Sequence, residues 1–131
     1  FSLCIFDIDD FKKINDRFGH DCGDAVLKLL SSLILRSLPE NTIFARWGGE
    51  EFRIIFVGNT EIAEEALETI RSRVQDYSFR YFNKAIKLTI TLGLSHPDKS
   101  FNFSKMLIEA DKNLMKGKQT GKNRVVSGAA E

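Results

Sequence analysis

Cysteine is nearly absent. Cys4 and Cys22 are the two in 131 residues, and neither has the paired spacing to further ligands that a metal site shows. Nothing demands an oxidising compartment, so a reduced cytosol is the expected setting. Cys4 lies in an apolar run and reads as core. Charge of one sign is lacking too: Lys and Arg number 19 against 18 Asp and Glu, a net charge of +1. That excludes a global field recruiting nucleic acid or a membrane surface. No stretch approaches the ~20 apolar residues of a membrane span, and the start does not look like a signal peptide. Internal repeats, low-complexity tracts and linkers are missing as well, which leaves one domain of 14.9 kDa. No initiator Met precedes the strand-like Phe1–Phe6, so a fragment of a longer protein is expected. Residues 127–131 read as a frayed tail or a vector-derived scar.

What is present is an ordinary globular composition, 43% hydrophobic and 28% charged, organised around Arg46-Trp47-Gly48-Gly49-Glu50-Glu51-Phe52. Apolar runs flank it, 42–45 before and 53–57 after, and two such runs joined by Gly-Gly predict a β-hairpin. Glycines there also let another molecule approach the backbone. Adjacent carboxylates at the tip repel one another. Taken alone the pair reads as a solvated acidic turn; the rest of the chain favours a place opposite a divalent metal.

Residues 1–8 predict a central buried strand ending in Asp7-Ile8-Asp9-Asp10, with Asp7 and Asp9 on one face. Phe11, Ile14 and Phe18 give a short helix. Residues 19–24 follow as a glycine-bounded loop, with Asp24 an expected N-cap for the next helix. Residues 61–77 form an amphipathic helix capped by Thr60, and 79–84 a loop or edge segment. Residues 86–94 alternate as a half-buried strand, which His96-Pro97-Asp98-Lys99 terminates. Phe103 to Leu114 marks a last helix with Gly117 at its frayed end, and 123–126 add a short strand. The order predicts an α/β sandwich with a mixed central sheet and helices on both faces.

If the first strand and the hairpin are neighbours, Asp7 and Glu50 converge. Two carboxylates plus a backbone carbonyl suit Mg2+, with Mn2+ an alternative, leaving positions for phosphate oxygens. A pair of such ions roughly 3.5–4 Å apart activates an attacking hydroxyl and stabilises a leaving pyrophosphate. Lys12, Lys118 and Lys122 would balance triphosphate charge. Asn15 and Asp24 could hydrogen-bond the polar edge of guanine.

Residues 6–27, 46–52, 88–95 and 110–125 together resemble the GGDEF domain, the diguanylate cyclase family, in its GGEEF variant. The four segments stand in the family's order over residues 1–126. The resemblance implies a palm-like fold related to ferredoxin-like domains, adenylyl cyclases and polymerases. It implies that two GTP, one on each subunit of an antiparallel homodimer, condense to cyclic di-GMP with release of pyrophosphate. By position, Asp7, the Ile8 carbonyl and Glu50 would hold the metal, with Glu50 also deprotonating the 3′-hydroxyl. Asn15 and Asp24 would read guanine, and Gly48 and Gly49 would form the turn against the nucleotide. Lys12, Lys118 and Lys122 would touch phosphate, although Arg is commoner at the last. Glu51 ranks second, binding metal or supporting the turn. A bacterial cytoplasmic setting and an upstream sensory domain are also implied.

Duller roles compete. Asp9 fits a cap for the helix containing Phe11 better than a metal ligand. His20 suits loop hydrogen bonding, Trp47 and Phe52 suit packing, and Lys112 and Lys116 suit solvation. Two departures stand out. The Arg-x-x-Asp product-inhibition site is replaced by Pro39-Glu40-Asn41-Thr42, so inhibition there is not expected. The family's opening helix and Asn-Arg motif are missing ahead of the first strand, which is expected to weaken GTP binding. The rival readings are a catalytically inactive GTP-binding or scaffold module and another palm-type nucleotidyl transferase. The latter is weakened by the lack of a basic nucleic-acid channel.

Overall fold

The computed structural model describes residues 1–58, 60–97 and 102–128. Five strands form the main sheet in the order β2-β3-β1-β6-β7. The apolar opening run becomes its centre, β1 (Ser2–Ile8), flanked by β3 (Glu51–Phe56) and β6 (Ile90–Ser95). The edges are β2 (Thr42–Gly48) and β7 (Val125–Val126). Every pairing is antiparallel except β6 with β7. Pleat alternation splits β1 between two cores. Cys4, Phe6 and Ile8 join the cluster under α1 (Phe11–Phe18), α2 (His20–Ser37) and α3 (Thr60–Asp76). Leu3 and Ile5 pack instead on Met106, Ala110 and Leu114 of α4 (Phe103–Gln119). Helices therefore cover both faces, as expected.

Register at the site end is fixed by three rings. Phe6 stacks on Phe52 at 5.0 Å between centroids, and Phe52 on Phe44 at 5.7 Å. Burying each of Phe6 and Phe52 completely contributes about 1.5–3 kcal/mol. A slip by one residue would send both rings to the opposite face. With Phe6 locked opposite Phe52, Asp7 must lie opposite Glu51.

Several local expectations need correction. Residues 20–24 belong to α2; only Gly19, at φ 94°, separates it from α1, and Asp24 is helical rather than a cap. Apolar contacts of Cys22 and Val26 outweigh the breaking tendency of Gly23. Thr60 is the first residue of α3, so its cap position, Asn59, lies outside the described residues. Segment 79–84, expected as a loop or edge segment, is strand on either side of a turn: β4 (Phe79–Tyr81) and β5 (Lys84–Ile86) pair as a separate hairpin. The alternating run 86–94 is accordingly broken, and β6 is wholly buried rather than half-buried, because α3 and α4 sandwich it. Asp98 and Lys99 of the expected terminator lie outside the described residues. Gly117 is not frayed. It sits inside α4, where an added Cβ would fall 2.6 Å from Thr91 Cγ2.

Candidate functional site

The hairpin tip is built to stay open. Trp47 is an extra residue between Arg46, opposite Phe52, and Gly48, opposite Glu51, a bulge that twists the end of β2. Gly49 takes φ 50°, and Arg46 Nε donates to its carbonyl at 2.8 Å, pinning the turn. A Cβ added at Gly48 or Gly49 would meet nothing within 4 Å. Nothing in the fold itself requires a missing side chain at Gly48. Glu51 is occupied elsewhere: its carboxylate lies 3.4 Å from Arg53, whose guanidinium stacks 3.8 Å over the Trp47 ring. Glu51 thus supports the turn, and Trp47 packs on a cation.

Asp7 has one oxygen paired with the Lys118 ammonium at 2.5 Å. Its other oxygen, Oδ1, is buried without a hydrogen-bond partner among the described residues. Burial raises the Asp7 carboxyl above its ordinary value; Lys118 opposes this, while Asp9 and Glu50 reinforce it by repulsion. That coupling brings Glu50 into the same electrostatic neighbourhood. No group of three or more His, Cys, Asp or Glu among the described residues is arranged to hold a metal ion. The donor set available is two carboxylates with the Ile8 carbonyl, and the orphaned Oδ1 fits a hard cation.

Asn15 lies against Gly23, and the exposed Asp24 follows it in α2. A Cβ at Gly23 would stand 1.9 Å from Asn15 Oδ1, so the missing side chain makes room for the amide. Asn15 Oδ1 is a second buried acceptor with no partner among the described residues. Lys122 Nζ reaches Asp10 at 2.8 Å. Lys12 does not converge with these cations; it is 91% exposed and sits 3.7 Å from Asp16.

The cap role expected of Asp9 is not borne out. The residue at the N-cap of α1 is Asp10, in a left-handed conformation with no side-chain cap bond. Asp9 is buried and accepts from Thr89 Oγ1 (2.7 Å), Thr91 Oγ1 (2.6 Å) and the Asn123 backbone N–H (3.0 Å).

Two other features do not make sites. A cavity of about 720 Å³ lies on the Lys13–Arg17 flank of α1, away from Asn15. Its Asp9, Asp10, Lys87 and Thr89 already have partners. Ser2 Oγ, His96 and Glu64 form a chain of 3.1 and 3.2 Å contacts, but Ser2 is fully buried and no substrate reaches it. No helix among the described residues is long and apolar enough to cross a membrane.

Comparison with known proteins identifies the family and the fold. The family described as Diguanylate cyclase, GGDEF domain, matches residues 1–124. Diguanylate cyclase A of Treponema denticola is 40% identical over 127 residues, 95% of this chain. The chain spans about a third (34%) of that relative's length. The GGDEF domain of DgcB from Caulobacter crescentus, solved in complex with c-di-GMP, superposes with a TM-score of 0.90 at 32% identity. The match covers 96% of this chain and 76% of that one. An active GGEEF domain of a Vibrio cholerae diguanylate cyclase gives 0.88 at 32% identity, covering 99% and 83%. The chain belongs to the diguanylate cyclase GGDEF-domain family.

Proposed function

We propose that this domain condenses two GTP molecules into cyclic di-GMP and two pyrophosphates, one GTP carried by each subunit of a homodimer. The observation that carries the reading is the orphaned Asp7 Oδ1, within electrostatic reach of Glu50 at an open Gly-Gly turn and next to Lys118. Asp7, the Ile8 carbonyl and Glu50 would hold Mg2+, or Mn2+ in its place. When bound, the ion supplies Lewis-acid polarisation of phosphoryl oxygens. Glu50 takes the proton from the 3′-hydroxyl as its oxygen bonds to the partner's α-phosphorus, and the bond from that phosphorus to the bridging oxygen of pyrophosphate breaks. Lys118 and Lys122 balance charge on the phosphates, with Lys12 closing from solvent. Asn15 and Asp24 accept from the guanine N1–H and amino group. Glu51 acts only through the turn. An upstream sensory domain and a bacterial cytoplasmic setting remain part of this reading.

The test is turnover of GTP with Mg2+ over a series of protein concentrations, with products identified by mass. Cyclic di-GMP made at a per-subunit rate that rises with concentration supports a cyclase limited by dimerisation. Glu50→Gln keeps the size of the side chain and removes the base, so the rate should fall by about 10²–10⁴ with the fold unchanged. Undiminished product from that variant would overturn the assignment. A second reading, a GTP-binding module without turnover, is favoured by one contact: Lys118 already occupies Asp7 Oδ2. Nucleotide binding without product in the wild-type chain would select it.

A further inference from the structure

Residues 121–123 are the least relaxed backbone near the site. Gly121, Lys122 and Asn123 have φ of 127°, 61° and 48° in succession. Glycine takes such angles freely, but Lys and Asn do so at a conformational cost that surrounding contacts must offset. The contacts are identifiable. The Asn123 N–H donates to Asp9 Oδ2 at 3.0 Å and approaches Thr91 Oγ1 at 3.1 Å. The Asn123 side chain is gripped from α3, accepting from Arg71 Nη1 and donating to Gln75 Oε1, each at 2.9 Å. Arg71 is in turn held by Glu68. Asp9 is itself fixed by two threonine hydroxyls from the chain leading into and along β6. A buried carboxylate satisfied by three donors is a rigid post.

The residue between Gly121 and Asn123 is Lys122. Its ammonium lies over the end of β1, bonded to Asp10 and electrostatically coupled to Asp9 and Asp7. We propose that Asp9 is a positioning residue that holds the 121–123 loop in its left-handed form and so aims the Lys122 ammonium at nucleotide phosphate. Asp9 touches neither metal nor substrate. Its effect passes through the Asn123 N–H, one residue from the cation it places. This rests on the proposed phosphate contact of Lys122 and adds to it the group that presets that contact.

The experiment measures affinity of the 131-residue chain for an α,β-methylene analogue of GTP and for guanosine, by calorimetry. Asp9→Asn, Lys122→Met and the double variant are compared with wild type. Asp9→Asn is isosteric but removes the charge that strengthens all three bonds. Should it fail to fold, Thr91→Val replaces it, since valine keeps the methyl packed near Gly117 and puts a second methyl in place of the hydroxyl that bonds Asp9. The expected result is a loss on the order of tenfold for the triphosphate analogue in each single variant, the size of one charge-assisted contact. Guanosine affinity should stay unchanged. The double variant should be no worse than Lys122→Met, because the post has nothing left to position. If Lys122→Met binds the analogue normally, the phosphate contact is wrong and the inference falls with it. If Lys122→Met weakens binding but the losses multiply, or guanosine binding falls in parallel, Asp9 is only structural. The inference is then overturned with the phosphate contact intact.

Discussion

The ammonium of Lys118 lies 2.5 Å from Asp7 Oδ2, so the carboxylate proposed to hold a divalent cation already carries a monovalent one. Both side chains are mostly withdrawn from water, at 29% and 16% exposure, which makes the contact more than a surface pair screened by solvent. Lys118 and an incoming ion therefore compete for Asp7. A triphosphate would offer the ammonium a second anion to move to. Lys118→Met should raise Mn2+ affinity without nucleotide by roughly threefold to tenfold, since the competitor is gone. The same change should weaken binding of the GTP analogue. Manganese titration followed by electron paramagnetic resonance reads the first effect and calorimetry the second. Unchanged or weaker Mn2+ binding would show that the pair does not guard the site.

Gly23 is a specificity prediction in disguise. A Cβ there would land 1.9 Å from Asn15 Oδ1 and 3.1 Å from Phe11 Cζ. The amide is the end of a side chain and can swing away; the ring is buried and cannot. Gly23→Ala should thus eject Asn15 at a modest stability cost, about 1–2 kcal/mol. Guanine recognition should suffer more, with analogue affinity falling about tenfold and discrimination against an adenine nucleotide shrinking. Equal losses for both bases would argue that Asn15 does not read the base.

Which features were legible in sequence follows from how local their causes are. The β1 run, the Gly-Gly hairpin and the stripe of Ala63, Leu67, Ile70 and Val74 carry their own periodicity, and each formed as read. Asp7 and the Gly-Gly turn lie at the same end of the sheet because β1 and β3 are neighbours, with Asp7 opposite Glu51. Residues 19–24 and 84–89 misled for the same reason. Their glycines and alternation are weak local preferences, overridden when Cys22 and Val26 found a core and when β5 paired with β4 rather than extending β6. Asp9 was illegible in principle: its partners Thr89, Thr91 and Asn123 lie 80 or more positions away in sequence.

Close approach of α4 to the sheet depends on one position. At Gly93 an added Cβ would stand 2.1 Å from the Ala110 carbonyl oxygen and 2.4 Å from the Leu114 nitrogen. These are backbone atoms of a helix and cannot rotate aside. Gly93→Ala must push α4 off β6, opening the Leu3, Ile5, Met106 and Leu114 cluster. The expected loss is about 3 kcal/mol, a fall in Tm on the order of 10 °C. Because Lys118 rides on α4, its contact with Asp7 should loosen too. A variant as stable as wild type would mean that the helix has slack not visible in its packing.

The Asp10–Lys122 pair makes a pH prediction with a definite sign. The hydrogen bond from Lys122 holds the Asp10 carboxyl below its ordinary range, with desolvation opposing and the Lys122 and Lys13 charges assisting. The bond to Asp10 raises Lys122 above its usual value. A carboxyl depressed by folding contributes stability that is complete above its unfolded pKa, about 3.9, and is lost as pH falls through the lower folded value. A lysine raised by folding contributes fully below its unfolded pKa, about 10.4, and loses that contribution as pH climbs through the raised value. The pair should therefore act on a plateau between roughly pH 5 and 9 and fade on both sides. Comparing Tm of wild type and Asp10→Asn across pH isolates it. The difference should be small, because both groups face solvent, and should shrink further in 1 M salt, where charges are screened within about 3 Å. Once pH has fallen below the depressed folded value of Asp10 the two proteins should converge. A gap that persisted in acid would mean that Asp10 acts through something other than its charge, and the left-handed backbone, φ 56°, would not be the source, since asparagine and aspartate differ little in tolerating that conformation.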